Sequence, residues 1–236
     1  MKFSNFNIIY LNLEKRTDRK QHIEKQLRQL QIYNKSILLH SIDGQMLNTE
    51  ERIYHRSYFK VHNFSKREDR ILGKIGCYLT HIKALELAIN NNYDNVLILE
   101  DDCQFDFSMD IRNLDIIPPD NCDIFYLGGF FWRKKPEETL QTGDWVKIDK
   151  KNLKIACTFA YGIIGREKIK DIYHKLINSQ AEAIDLMYIK NIQKDNNCFI
   201  INPVICKQNM IFSSDVTNIG GKDYKYTNKQ NAFKYI

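Results

Sequence analysis

Asn95-Val96-Leu97-Ile98-Leu99-Glu100-Asp101-Asp102 is an apolar run that ends in three adjacent carboxylates. Four consecutive apolar residues, Val96 to Leu99, suit a strand buried on both faces, as in a parallel sheet covered by helices, and are too short for an independent helix. The acids then stand at the strand's C-terminal end, where open α/β sheets place their ligand crevices. In an extended chain alternate side chains share a face, which pairs Glu100 with Asp102 and sends Asp101 the other way. Crowded carboxylates oppose one another's ionisation, and a divalent cation relieves that cost. All-oxygen ligands favour Mg2+, Mn2+ or Ca2+ over a thiolate metal. A solvated acidic turn leaving the core accounts for the same residue types, so two readings stay open on this stretch alone.

Upstream, Asn7-Ile8-Ile9-Tyr10-Leu11-Asn12-Leu13 reads as a buried first strand, followed by the polar turn Glu14 to Arg19. A helix is expected next, capped by Thr17 or Asp18, with Ile23, Leu27 and Leu30 on one face. Lys15, Arg16 and Arg19 gather between strand end and helix start, where backbone N–H groups also favour an anion, so the turn is either a phosphate site or a solvated basic loop. Ser36 to Ile42 reads as a second strand closed by Asp43-Gly44, which completes a βαβ unit. Gln45 to Leu72 reads as polar and irregular, either a binding loop or a peripheral helix with aromatic anchors. Gly73 to Ile89 reads as helical after its glycines, with His81 either facing a site or simply packed.

Downstream, Asp123 to Leu127 is a strand ending in Gly128-Gly129, glycines that permit close approach of a ligand or a tight turn. Phe130 to Asp149 reads as a hairpin or excursion, Ile155 to Gly165 as a further strand, and Arg166 to Ile177 as a helix. Ala181 to Ile189 carries two acids, Glu182 and Asp185, and Cys198 to Ile205 is a late strand whose proline suggests an edge position. A polar, basic tail follows from about Ser213. Alternating strands and helices make the class α/β, and 236 residues fit one domain with excursions near 45–72 and 130–149.

A hydrophobic content of 43% with 12% aromatics excludes a disordered chain, and no window is long enough to span a membrane. The first residues lack the layout of a signal peptide, and six cysteines carry no CxxC pair, which together point to a reducing, cytoplasmic setting. The net charge of +6 suits nucleic acid, an anionic membrane or a phosphorylated ligand equally, and no nucleic-acid signature accompanies it.

Several stretches in order resemble glycosyltransferase family 25, the lipooligosaccharide biosynthesis and collagen galactosyltransferase group. They are Asn12-Leu13 with Arg19, Asp43-Gly44, the Gly-x-x-Gly-Cys-x-x-Thr-His segment Gly73 to His81, Leu99-Glu100-Asp101-Asp102 and Tyr126-Leu127-Gly128-Gly129. The resemblance spans about Ile8 to Asp215. It implies a GT-A type fold, Rossmann-like, with a mostly parallel nucleotide-binding sheet flanked by helices. It implies inverting transfer of a hexose, galactose or glucose, from a UDP-sugar to a saccharide or lipid-linked saccharide, in the synthesis of lipooligosaccharide or another surface glycan. Glu100-Asp101-Asp102 stands for the family's Asp-x-Asp motif, with Glu departing from the strict pattern.

On this resemblance Glu100, Asp102 and Asp215 are expected to hold Mn2+ or Mg2+. Asn12, Leu13, Arg16, Arg19, Asp43, His81, Asp101, Gly128 and Gly129 are expected at the nucleotide sugar, and Asp185 as the base. The basic tail Lys222–Lys234 raises an expectation of peripheral contact with the cytoplasmic face of a membrane. A metal-dependent phosphoesterase is the rival reading, weakened by the lack of a second His/Asp cluster. A basic nucleic-acid-binding module is a more distant one.

Overall fold

The computed structural model describes residues 3, 5–61, 68–133, 143–148, 153–213 and 215. The chain opens with β1 (Asn7–Asn12), α1 (Thr17–Gln29) and β2 (Ser36–His40), then α2 (Thr49–Tyr58), α3 (Glu68–Asn90), β3 (Asn95–Glu100) and β4 (Cys103–Phe105). It continues through β5 (Ile124–Tyr126), β6 (Phe130–Arg133), β7 (Asp144–Lys147), β8 (Leu153–Ala156), β9 (Ala160–Ile164) and α4 (Arg166–Ile177). The short helix α5 (Ile184–Met187), β10 (Cys198–Asn202) and β11 (Cys206–Gln208) follow. Among the described residues the main sheet has the order β2-β1-β3-β9-β5-β10-β7. The pairs β1–β2, β1–β3 and β5–β10 are parallel, so β2, β1, β3, β5 and β10 point one way while β9 and β7 run against them.

The apolar run of β3 is buried on both faces, as its composition requires. Val96 and Ile98 pack with Ile9, Leu11 and the inner faces of α3 and α4, while Leu97 and Leu99 pack with Ile8, Tyr10 and the apolar stripe Ile23, Leu27, Leu30 from α1 and the residue after it. Helices thus cover the sheet on both sides, and the mixed α/β class expected from the sequence is the one observed. β1, β2 and β3 end at a common edge with Asn12, His40 and Glu100, in register Leu11 to Glu100 across β1 and β3.

Several local expectations need correction. Helix α1 starts with Arg16 as its capping residue and no side-chain cap, because the Asp18 carboxylate pairs with the Arg16 guanidinium instead. Gln45 to Leu72 is not irregular: it contains α2, closed at its start by a capping box of Asn48 and Glu51, and the first turn of α3, with residues 62–67 outside the described set. Helix α3 runs through Gly73 and Gly76 rather than starting after them. A Cβ on Gly76 would lie 2.5 Å from the Ile42 carbonyl oxygen and 2.7 Å from the Gly44 nitrogen, and one on Gly44 would lie 1.8 Å from the Leu72 carbonyl oxygen. These glycines let α3 touch the Asp43-Gly44 turn backbone to backbone, which offsets the roughly 1 kcal/mol that a glycine costs a helix.

The expected strand Ile155 to Gly165 is two strands in different sheets. Cys157, at φ 75°, breaks it, sending β8 to pair with β6 and β9 into the main sheet. A left-handed non-glycine residue costs on the order of 1–3 kcal/mol, and here it redirects the chain to bring Thr158 to the strand ends. β10 lies between β5 and β7, not at an edge; Pro203 follows its last residue and so removes no ladder hydrogen bond. The 130–149 excursion supplies β6 and β7, and its residues 134–142 and 149 lie outside the described set, as do 214 and the tail from 216.

Candidate active site

The ends of β1 and β3 and the break before β9 bring most of the candidate residues together. β3 stops at Glu100 and the chain turns, so the alternation of an extended strand does not continue through Asp101 and Asp102. The expected pairing therefore changes: Asp101 and Asp102 share one partner, Arg19, and Glu100 faces another set. Arg19 Nη1 lies 2.8 Å from Asp101 Oδ1 and 3.3 Å from Asp102 Oδ2, and all three residues are buried. Asn12 Nδ2 donates to Asp101 Oδ2 at 2.7 Å, so both oxygens of Asp101 are occupied.

Glu100 Oε1 accepts from Thr158 Oγ1 at 2.9 Å and lies 3.2 Å from His81 Nε2. His81 is 1% exposed, and its Nδ1 lies 3.0 Å from the Tyr161 hydroxyl. Both ring nitrogens are thus engaged by the protein. Burial opposes ionisation of Glu100, but the His81 and Thr158 contacts outweigh it and hold the carboxyl below its usual range.

Asp102 behaves differently. Burial first, and the neighbouring Glu100 second, push its carboxyl up to about 7 against the pull of Arg19. Its Oδ2 accepts from Gln208 Nε2 at 3.0 Å, whereas Oδ1 is buried with no hydrogen-bond partner among the described residues. A buried orphan carboxylate oxygen is costly unless a ligand uses it.

Arg16 and Arg19, expected at a diphosphate, are held by the chain's own C-terminal segment. The Ser213 carbonyl accepts from Arg16 Nη1 at 3.0 Å and from Arg19 Nη2 at 2.8 Å; Asp215 pairs with Arg16 and lies 3.8 Å from Arg19. The Phe212 ring lies 5.9 Å from the Arg16 guanidinium carbon and 5.6 Å from that of Arg19. Asp215 is therefore an arginine partner here and does not join Glu100 and Asp102 in a compact trio. Among the described residues the three-residue group of potential ligands within 4.8 Å of one another is Cys77, His81 and Glu100.

Of the remaining candidates, Asp43 pairs with Lys15 at 2.5 Å and accepts from the Gln45 N–H, while the Leu13 carbonyl accepts from the Arg16 N–H at 2.8 Å. The space a Cβ would take on Gly128 and Gly129 is filled by the Cys206 carbonyl and the Ile155 side chain, so the protein's own chain makes the close approach there. Asp185 sits in the first turn of α5, its Oδ1 accepting from the Leu186 N–H at 2.9 Å. Burial raises its carboxyl, the Leu186 N–H and the Lys74 charge pull it down, and the Glu100 charge raises it, so Asp185 lies within electrostatic reach of Glu100. Thr158, Tyr161 and Gln208 were not among the expected residues. Thr158 had a visible signal, a lone hydroxyl inside an apolar run; Tyr161 and Gln208 had none.

Replacing Arg19 by Ala removes the partner of two buried carboxylates. The expected cost is about 3 kcal/mol, the lower end for a broken buried pair because Asp102 can take up a proton. Urea unfolding checks it, and an unchanged midpoint would show that the cluster contributes nothing to stability.

The fold sets this cluster of buried charged residues at the carboxyl ends of β1 and β3 in a mixed α/β sheet. The chain belongs to glycosyltransferase family 25, whose model, described as an LPS biosynthesis protein, matches residues 5–184. It is 25% identical over 187 residues to a glycosyltransferase 25 family member of Anopheles gambiae, covering 76% of this chain and 30% of that protein. It is 31% identical over 102 residues to the R655 protein of Acanthamoeba polyphaga mimivirus, described as a glycosyltransferase, covering 43% and 30%. The chain thus spans about 30% of the length of these two relatives. Among solved structures, A197 from STIV aligns with a TM-score of 0.44 at 12% identity, covering 96% of this chain and 99% of that one. A glycosyltransferase involved in glycosylation of the major capsid of PBCV-1 aligns at 0.40 and 10%, covering 83% and 81%.

Proposed function

We propose that this chain, acting as one domain, is a metal-dependent glycosyltransferase that moves galactose or glucose from a UDP-sugar to a saccharide hydroxyl with inversion. The observation that carries the reading is Asp102 Oδ1, a buried carboxylate oxygen without a partner among the described residues, beside Glu100 at the carboxyl edge of the sheet. Family membership supplies the chemistry to which that oxygen is fitted.

The residues fit a hard divalent cation. Both described hydrogen-bond contacts of Glu100 fall on Oε1, and those of Asp102 fall on Oδ2, so each carboxylate is anchored by one oxygen and can offer the other. Mn2+ or Mg2+ held by Asp102 and Glu100 would supply charge neutralisation for the leaving diphosphate. Asp101 and Asn12 fix the Arg19 guanidinium, and Arg16 and Arg19 exchange the Ser213 carbonyl and Asp215 for diphosphate oxygens. The acceptor oxygen bonds to the anomeric carbon as the bond from that carbon to the diphosphate breaks. Asp185, whose burial raises its proton affinity, takes the acceptor's hydroxyl proton.

A panel of nucleotide sugars, scored for hydrolysis with Mn2+, with Mg2+ and in EDTA, tests the reading. Metal-dependent release of UDP from UDP-galactose or UDP-glucose is expected, and no turnover with any donor would overturn it. A surface-glycan acceptor and a cytoplasmic setting with peripheral membrane contact complete the proposal. Among the described residues no helix is long and apolar enough to cross a membrane, and the basic segment 222–234 lies outside them.

A further inference from the structure

We infer that Cys77 Sγ, His81 Nε2 and Glu100 form a binding site for a borderline-soft divalent cation of the Zn2+ kind, distinct in chemistry from the oxygen-ligated ion proposed for the donor. Cys77 and His81 are four residues apart on α3, so one helix face presents both, and the end of β3 brings Glu100 to meet them. Their ligand atoms all lie within 4.8 Å of one another. Zinc bonds of about 2.3 Å to sulfur and about 2.0–2.2 Å to nitrogen and oxygen need only a modest contraction of that triangle. A thiolate, an imidazole and a carboxylate make a zinc-type set with an open fourth position, whereas Mg2+ and Mn2+ favour oxygen alone.

The surroundings support ligation independently of the triangle. A metal-binding histidine ordinarily has its second ring nitrogen hydrogen-bonded, which fixes tautomer and orientation. His81 Nδ1 lies 3.0 Å from the buried Tyr161 hydroxyl, and the two rings stack at 5.7 Å with an interplanar angle of 27°. Without metal, Nε2–H faces the Glu100 carboxylate, which needs a donor there; on ligation the ring proton sits on Nδ1, donating to the Tyr161 hydroxyl, and the Nε2 lone pair is freed for the metal. Thr158 gives Glu100 the matching outer hydrogen bond. On binding, the Cys77 thiol proton leaves to solvent and the sulfur–metal bond forms, with no change of oxidation state. Because Glu100 serves both arrangements, Zn2+ here and the donor ion at Asp102 compete for it; that consequence alone rests on the proposed function.

Cobalt(II), titrated into the metal-free full chain without nucleotide sugar, tests the site. The expected result is a sulfur-to-cobalt charge-transfer band that saturates at one equivalent and is displaced by Zn2+ but not by equimolar Mg2+. Cys77→Ser should abolish the band and weaken binding by more than about tenfold, the loss already seen when only outer partners are removed, while Cys157→Ser retains it. Should Cys77→Ser lose its native circular dichroism, Glu100→Gln provides the second test, with a comparable loss of affinity. Cobalt that fails to bind, binds without the sulfur band, or loses the band in Cys157→Ser but not in Cys77→Ser overturns the site. As no donor is present, failure here leaves the transferase reading standing.

Discussion

Asp102→Asn is expected to lower metal-dependent UDP-sugar turnover by about 10²–10³-fold, the usual consequence of deleting one preorganised charge-stabilising group. The substitution is nearly isosteric. Its amide oxygen can still accept from Gln208 and Arg19 as Asp102 Oδ2 does, while an NH2 group takes the place of the buried Oδ1. The variant keeps the packing and loses the ligand. It also removes a carboxyl whose ionisation the neighbouring Glu100 opposes, so the fold should be as stable as the parent or slightly more so. Steady-state kinetics with circular dichroism and urea unfolding check both halves, and unimpaired turnover would exclude Asp102 as the metal ligand.

Asp185→Asn should lower transfer to a saccharide acceptor by about 10²–10⁴-fold, the range for loss of a general base. The expected signature is a fall in kcat with unchanged UDP affinity. The groups proposed to hold the donor are Glu100, Asp102, Arg16 and Arg19, on other elements. Asp185 accepts a hydrogen bond from the Leu186 N–H, which an asparagine oxygen can also accept. Near-normal transfer would remove Asp185 from the mechanism.

The architecture was legible where burial dictates composition. The four-residue apolar run of β3, the βαβ unit and the stripe Ile23, Leu27, Leu30 each report a surface that must leave water, and each is found where the pattern predicts. The pairing order was not legible, because the apolar composition of β9 is the same whether the strand runs with or against β3. Nor could the sequence reveal the break at Cys157, a left-handed residue in an otherwise strand-like run with no glycine to mark it.

The site was legible in its members more than in its pairings. Asn12, Arg19, Glu100, Asp101 and Asp102 do meet at one edge. That Asp101 and Asp102 share Arg19 was not legible, because strand alternation sends them to opposite faces and the backbone turns after Glu100. His81 was visible as a helix histidine closing the Gly73–His81 segment; its contacts with Glu100 and Tyr161 join residues 19 and 80 positions apart in the chain. Asp215, expected at the metal, pairs with Arg16 and lies near Arg19, contacts that join residues about 200 positions apart and leave no local sequence signal.

The central claim is that the carboxylates after β3 bind the donor through a divalent ion. Calorimetric titration of UDP into the wild-type chain and into Asp102→Asn, each with Mn2+ and with EDTA, tests it most directly. The account predicts UDP binding by the wild type that requires Mn2+ and is lost in Asp102→Asn. UDP binding of equal strength in EDTA and in the variant would contradict it.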